Sequence, residues 1–108
     1  MMIGHEFLEK EFGVKPEIGW DIDTFGHSDT NTRLFAEMGF DAMFFSRLDH
    51  NDKDWRGDKS NKAMTFLWRP SANHFGKQHQ ILTYVWPNDY CYPVKFFAGE
   101  SYDTDDVF

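Results

Sequence analysis

Two carboxylates and one guanidinium are the side chains of this chain that are best placed to take part in catalysis or metal binding. Asp21 and Asp23 lie close together in the stretch GWDIDTFGHS, and Arg47 follows at the end of the next apolar run. A carboxylate can attack an electrophilic carbon, exchange a proton or bind a metal ion. A nearby guanidinium favours the ionised form of such a carboxylate. Their use depends on the elements that position them.

A strand is predicted over residues 16–23, which contain both aspartates. Ile18, Trp20 and Ile22 alternate with other residues and share one face of this strand. The two aspartates fall on the opposite face because side chains alternate along a strand. Asp23 is therefore expected at the carboxyl end of the strand.

A helix is predicted next, at about residues 30–38. Ser28 or Asp29 is a suitable N-cap, because its side chain can accept a hydrogen bond from the first turn. Gly39 is a suitable C-terminal residue, with Phe40 placed for the apolar contact of a Schellman motif. The sequence thus indicates both ends of this helix.

A second strand is predicted in the apolar run that ends at Arg47. Such a run is typical of a strand buried on both faces of a parallel sheet. Residues 16–47 then form a βαβ unit with two parallel strands. Functional groups gather at the carboxyl ends of parallel strands, so Asp23 and Arg47 are expected to face one crevice.

Simpler interpretations of these residues remain open. Asp23 and Arg47 could form an ordinary structural ion pair, which contributes little to stability at a surface. Asp21 could face solvent or cap a turn. His27 could make an orienting hydrogen bond near the start of the helix. Asp21 and Asp23 together also form an Asp-x-Asp pair of the kind that binds a metal and a nucleotide sugar in some glycosyltransferases.

The rest of the chain predicts an α/β fold. An amphipathic helix is expected before the βαβ unit, ending at Gly13, and a third short apolar segment is stopped by Pro70. From Ser71 onward we expect irregular chain rich in aromatic residues. The length of 108 residues fits one small domain.

Composition excludes several classes of protein. The formal net charge is −7, with 18 acidic and 11 basic side chains, which argues against a nucleic-acid partner. A single cysteine, Cys91, excludes an intrachain disulfide and a cysteine-based zinc cluster. No apolar run approaches the roughly 20 residues of a membrane span.

Aromatic residues make up 19% of the chain, which suggests that something outside it covers part of its apolar surface.

The α-mannosidases of glycoside hydrolase family 38 carry a motif, Trp-x-Ile-Asp-Pro-Phe-Gly-His-Ser, that resembles GWDIDTFGHS. Their lysosomal-type members are also similar over RLFAEMGFDAMFFSRLDHNDK. The helix that leads into the motif is similar to GHEFLEKEFGVKP, and later segments are similar to TFLWRPS and WPNDYCYP. The resemblance covers most of the chain and is densest from Gly4 to Lys53.

This resemblance implies a retaining, zinc-dependent hydrolase of terminal α-mannosyl residues on glycans. Its motif aspartate corresponds to Asp23, which would be both the nucleophile and a zinc ligand. Arg47 matches an arginine beside the catalytic site, and Tyr90 matches a tyrosine that contacts substrate. Trp20 is expected to form an apolar wall for the sugar. The resemblance also implies a partly formed, parallel β/α barrel-like domain and a lysosomal or vacuolar location.

The chain departs from the family pattern in two ways. Thr24 stands where the family has proline after the nucleophile, which leaves the backbone less fixed. The family's upstream His-x-Asp pair and downstream histidine have no counterpart here, and no residue can be assigned as the acid/base. We therefore expect residues 1–108 to be a fragment of one N-terminal catalytic domain, inactive alone and partnered by the remainder of that domain. A non-catalytic carbohydrate-binding homologue is the alternative, and a metal-dependent glycosyltransferase fragment is a weaker one.

Overall fold

The structure is a computed structural model that describes residues 1–75 and 79–87. Helices and strands alternate along it, as the sequence predicts for an α/β fold. In chain order the elements are α1 (Met2–Phe12), β1 (Ile18–Asp21), α2 (Asp29–Glu37), β2 (Ala42–Phe45), α3 (His50–Gly57), β3 (Thr65–Trp68), α4 (Ala72–Phe75) and β4 (Ile81–Val85).

Four strands form one mixed sheet in the order β1-β2-β4-β3. β1 pairs with β2 in parallel, with Ile18 opposite Ala42 and Asp21 opposite Phe45. This pairing confirms the predicted βαβ unit, although the observed strands are shorter than the predicted ones. β2 pairs in parallel with β4, whereas β3 runs antiparallel to β4. The described sheet is therefore mostly but not wholly parallel.

Local capping explains why α2 begins and ends where it does. The Ser28 hydroxyl accepts a hydrogen bond from the backbone N–H of Asn31 at 3.1 Å, as an N-cap should. At the other end Gly39 adopts a φ of 86°, which is accessible to glycine at little cost. The Phe40 N–H then bonds the Phe35 carbonyl at 3.2 Å, and the two rings meet at 5.3 Å. These contacts complete the predicted Schellman motif.

The hydrophobic core lies on the sheet face that carries α2. The helix contributes Phe35, which is 3% exposed, and the following turn contributes Phe40. The strands contribute the remaining members of the buried cluster: Met43, Phe45, Ile81 and Val85. Gly19 of β1 lies under the Phe35 ring. The ring fills the space that a larger side chain at position 19 would need.

The other face of the sheet carries a row of aromatic rings, here called the aromatic face: Trp20, Phe44, Tyr84 and Trp86. Trp20 lies opposite Phe44 in the register, and Phe44 lies opposite Tyr84. Neighbouring rings are 5.7 to 5.9 Å apart. Trp20 nevertheless remains 57% exposed. The apolar residues of β1 thus lie on the more open face of the described sheet.

The prediction of irregular chain after Ser71 was wrong for two segments. Ala72–Phe75 is a short helix, and Ile81–Val85 is a strand that pairs on both sides. The strand forms because its residues alternate between the core face and the aromatic face, with the Ile81 and Val85 side chains fully buried. The remainder of the predicted irregular segment, residues 88–108, lies outside the described residues.

We expect Gly19→Val to lower the free energy of unfolding by about 1 to 3 kcal/mol, the usual cost of overpacking a core. A Cβ atom at Gly19 would lie 3.0 Å from the Phe35 ring and 3.5 Å from the Met43 Cβ. Urea or thermal unfolding of the purified protein measures the loss. Gly4→Val is the matched control, because a Cβ atom there meets nothing within 4 Å. Equal stability of the two variants would contradict the packing of α2 on β1.

Candidate active site

Asp23 and Arg47 form an ion pair beyond the carboxyl ends of β1 and β2. The Arg47 Nε–H donates to Asp23 Oδ1 with an N···O distance of 3.0 Å. β1 ends at Asp21 and β2 at Phe45, and these two residues are partners in the parallel register. The two side chains therefore meet at this edge of the sheet, while a shared crevice and their roles stay predictions.

This ion pair is open to solvent. The side chain of Asp23 is 60% exposed and that of Arg47 is 31% exposed. Pairs with this much solvent contact contribute little to folding, because water and salt screen them. The pair is therefore a weak contributor to stability, and the Asp23 carboxylate is accessible from solvent.

The loop at 22–28 gives the two aspartates different partners. The Thr24 hydroxyl donates to the carboxylate of Asp21, whereas Asp23 is bound by Arg47. Phe25 is 78% exposed, and its ring centre lies 5.4 Å from the Arg47 guanidinium carbon. An aromatic ring at this distance attracts a cation. Arg47 therefore contacts two different residues of the same loop.

His27 joins the same two loops through the backbone. Its Nε2 contacts the backbone carbonyl oxygen of Arg47, and its ring lies 4.0 Å from the ring of Phe45. The side chain is half-buried. The sequence analysis considered only an orienting hydrogen bond for His27, and this is the kind of contact observed. Its partner, a carbonyl at the end of β2, could not be read from the sequence.

Asp29 is a residue whose contacts the sequence analysis missed. It was considered only as a possible N-cap, whereas Ser28 takes that position. Its carboxylate accepts hydrogen bonds from the Trp68 indole N–H at 3.0 Å and from the Ser71 backbone N–H at 3.3 Å. These bonds tie the first turn of α2 to the end of β3. The acidic residue at the start of a helix was the one available signal.

The two aromatic residues predicted to contact substrate have different outcomes. Trp20 lies on the aromatic face, where its ring meets Phe44 at 5.8 Å and Trp86 at 5.7 Å. Its exposed ring is accessible to a ligand, and its role stays a prediction. Tyr90 lies outside the described residues.

An open cleft of about 670 Å³ lies beside the 22–28 loop. Its lining includes Trp20, Asp21, Phe25, His27 and Ser28. Asp23 and Arg47 are not among the lining residues. The cleft and the ion pair therefore do not coincide, although both involve residues of the 22–28 loop.

The described residues do not form a metal centre by themselves. Within residues 1–75 and 79–87, no group of three or more His, Cys, Asp or Glu side chains is placed to hold an ion. A tetrahedral zinc site with an open position needs three protein ligands. The described residues therefore do not complete such a site. None of the described helices is long and apolar enough to span a membrane.

A carboxylate at the ends of parallel strands could supply one of the two carboxyl groups that glycoside hydrolysis requires. The sequence model of the glycosyl hydrolases family 38 N-terminal domain matches residues 1–107. The chain belongs to this family.

Curated relatives are similar over nearly the whole chain. A lysosomal α-mannosidase of Dictyostelium discoideum is 44% identical over 108 residues, which cover 98% of this chain and 10% of that protein. A probable α-mannosidase of Arabidopsis thaliana is 40% identical over 106 residues, covering 97% of this chain and 10% of that protein. The human lysosomal α-mannosidase is 44% identical over 92 residues, which cover 83% of this chain and 9% of that protein. The chain thus spans about a tenth of the length of these relatives.

We expect Arg47→Met to change the free energy of unfolding by about 1 kcal/mol or less, because the pair it removes is exposed. Chemical denaturation of the purified variant measures this change. Arg33→Met is the matched control, since it removes a similarly exposed contact in which Arg33 Nε lies 2.7 Å from Glu37 Oε1. A much larger loss at Arg47 than at Arg33 would show that the Asp23–Arg47 pair has a mainly structural role.

Proposed function

We propose that these residues form part of the catalytic domain of a retaining, zinc-dependent α-mannosidase that hydrolyses terminal α-mannosyl residues of glycans. The observation that carries this proposal is the contact between Asp23, in the motif GWDIDTFGHS, and Arg47. Family membership and the names of the relatives support the reaction class. The exposure of the Asp23 carboxylate is consistent with access to a sugar.

Asp23 is the proposed nucleophile. In a retaining glycosidase, a carboxylate oxygen forms a bond to the anomeric carbon while the bond to the leaving oxygen breaks. A second carboxylic acid gives its proton to the leaving oxygen and later takes one from the attacking water. No residue of this chain is assigned as that acid, which we place in the remainder of the catalytic domain.

Arg47 is proposed to hold the nucleophile in place. Its Nε–H bonds Asp23 Oδ1 directly, so the carboxylate faces a fixed positive charge. The Phe25 ring, whose centre lies 5.4 Å from the guanidinium carbon, gives the Arg47 side chain a second contact. Such positioning contributes to rate because a misplaced nucleophile seldom reaches the attack geometry. Arg47 and Trp20 are the proposed substrate contacts among the described residues, and Tyr90 is proposed outside them.

A zinc ion is proposed as the cofactor, with Asp23 as one of its ligands. When bound, zinc would orient sugar hydroxyls and favour the distorted ring of the oxocarbenium-like transition state. The described residues bring no three potential ligands together, and the ion's other ligands are proposed to lie in the remainder of the domain.

The remainder of the catalytic domain is also the proposed partner of the sheet. We propose that the mostly parallel sheet is part of a β/α barrel-like domain and that other strands and loops cover the aromatic face. The exposed Ile18 and Trp20 on one side of β1 support this arrangement. A location in the lysosome or vacuole is proposed from the relatives that are named lysosomal.

Asp23→Asn in the complete catalytic chain is expected to reduce turnover of an aryl α-mannoside by several orders of magnitude, because the amide is a poor nucleophile. Steady-state kinetics measure turnover, and circular dichroism checks the fold. Asp21→Asn is the matched control, since Asp21 bonds Thr24 rather than Arg47. We expect this control to keep most of its activity. Unchanged turnover in Asp23→Asn would remove Asp23 from the mechanism.

Residues 1–108 alone are expected neither to hydrolyse an aryl α-mannoside nor to bind zinc tightly at one ion per chain. The reason is that the described part of the chain brings no three metal-binding side chains together. Isothermal titration with zinc and a prolonged turnover assay measure the two properties. Tight stoichiometric zinc with measurable turnover would show that the 108 residues hold a complete site.

A further inference from the structure

Two hydrogen bonds connect the loop after β1 with the loop after β2, and both involve Arg47. The first joins the Arg47 side chain to the Asp23 carboxylate. The second joins the Arg47 backbone carbonyl to the His27 ring. A side chain that leaves from a fixed backbone has fewer positions to choose from than one that leaves from a mobile backbone. The bond from His27 to the Arg47 carbonyl therefore restricts the positions from which the Arg47 side chain can reach Asp23.

The surroundings of His27 hold its ring in one place. The ring packs on Phe45, which is 2% exposed and belongs to the core. On one side of His27 in the chain, Gly26 turns the backbone with a φ of 84°. On the other side, Ser28 is fixed as the N-cap of α2. His27 is thus a rigid link between the core and the end of β2.

The chemistry of this bond defines what His27 does. A carbonyl oxygen only accepts hydrogen bonds, so the His27 Nε2 must carry a proton and donate it. A donor fixed to a backbone carbonyl serves to hold that carbonyl. The relevant property of His27 is therefore a hydrogen-bond donor at the Nε2 position.

We propose that His27 is a positioning residue for the reaction: it fixes the Arg47 backbone so that the guanidinium stays on the Asp23 carboxylate. This inference rests on the proposed function of Asp23 and Arg47, and it adds a residue that need not touch substrate. Loss of the Nε2 donor then acts through Arg47, and it lowers the rate of the chemical step more than substrate binding.

Two polar variants separate the donor from the ring. The amide nitrogen of His27→Gln reaches about as far as Nε2, whereas that of His27→Asn ends near the Nδ1 position. Both variants lose the ring contact with Phe45, so packing changes alike in the two. In the complete catalytic chain, we expect His27→Asn to lower kcat for an aryl α-mannoside by about tenfold to a hundredfold, with KM little changed. His27→Gln should recover most of that loss.

The His27→Gln and His27→Asn variants are then made in an Arg47→Met background. If His27 acts through the Arg47 side chain, the Gln and Asn variants turn over equally slowly there. A persistent difference in that background, or equal kcat for the two variants in the native background, overturns the proposal. His50→Asn is the control for the substitution itself, because His50 is 84% exposed and pairs with Asp54 on α3. It should leave kcat unchanged.

Crystal structures of both His27 variants give a reading that does not depend on turnover. The proposal predicts that the Arg47–Asp23 contact, 3.0 Å in the native chain, is kept in His27→Gln and lost in His27→Asn. An intact contact in both variants overturns it. A native enzyme that does not turn over the aryl α-mannoside refutes the proposed function instead, and the variant structures still decide what His27 holds.

Discussion

The parallel pairing of β1 with β2 is the constraint on which the rest of the structure depends. Its register places Asp21 opposite Phe45, so the loops that follow the two strands leave the sheet at the same edge. The distant positions of Asp23 and Arg47 in the sequence then become a contact of 3.0 Å. Packing secures this register, because α2 crosses between the strands and buries Phe35 over Gly19. A shift of one residue would turn the core side chains to the opposite face and separate the two loops.

The two faces of the sheet serve different purposes. One face is covered by α2 and contains the buried cluster around Met43 and Val85. The other face carries aromatic rings that touch one another while Trp20 stays more than half exposed. The matched residues make up about a tenth of each relative, so those proteins have ample further sequence that could cover such a face. The exposed rings and the exposed ion pair are consistent with a site whose other walls come from the remainder of the domain.

Local signals explain what the sequence predicted correctly. The caps of α2 and the apolar run of β2 depend on neighbours in the chain, so the βαβ unit and the meeting of Asp23 with Arg47 could be anticipated. β4 was missed because its strand pattern stands beside Pro87 and a run of aromatic residues that favoured irregular chain. The insertion of β4 between β2 and β3, and the bond between Asp29 and Trp68, join residues far apart in sequence. Periodicity identifies the faces of β1 but does not say which face another element covers.

Chemical trapping of the nucleophile tests the central claim most directly. A fluorinated mannosyl fluoride reacts with a retaining mannosidase and slows release of the sugar, so the covalent intermediate accumulates. Proteolysis and mass spectrometry of the treated enzyme then locate the sugar on one residue. The account predicts a single mannosyl ester on Asp23, in the peptide that contains GWDIDTFGHS. A stable label on any other carboxylate, with Asp23 unmodified, would contradict it.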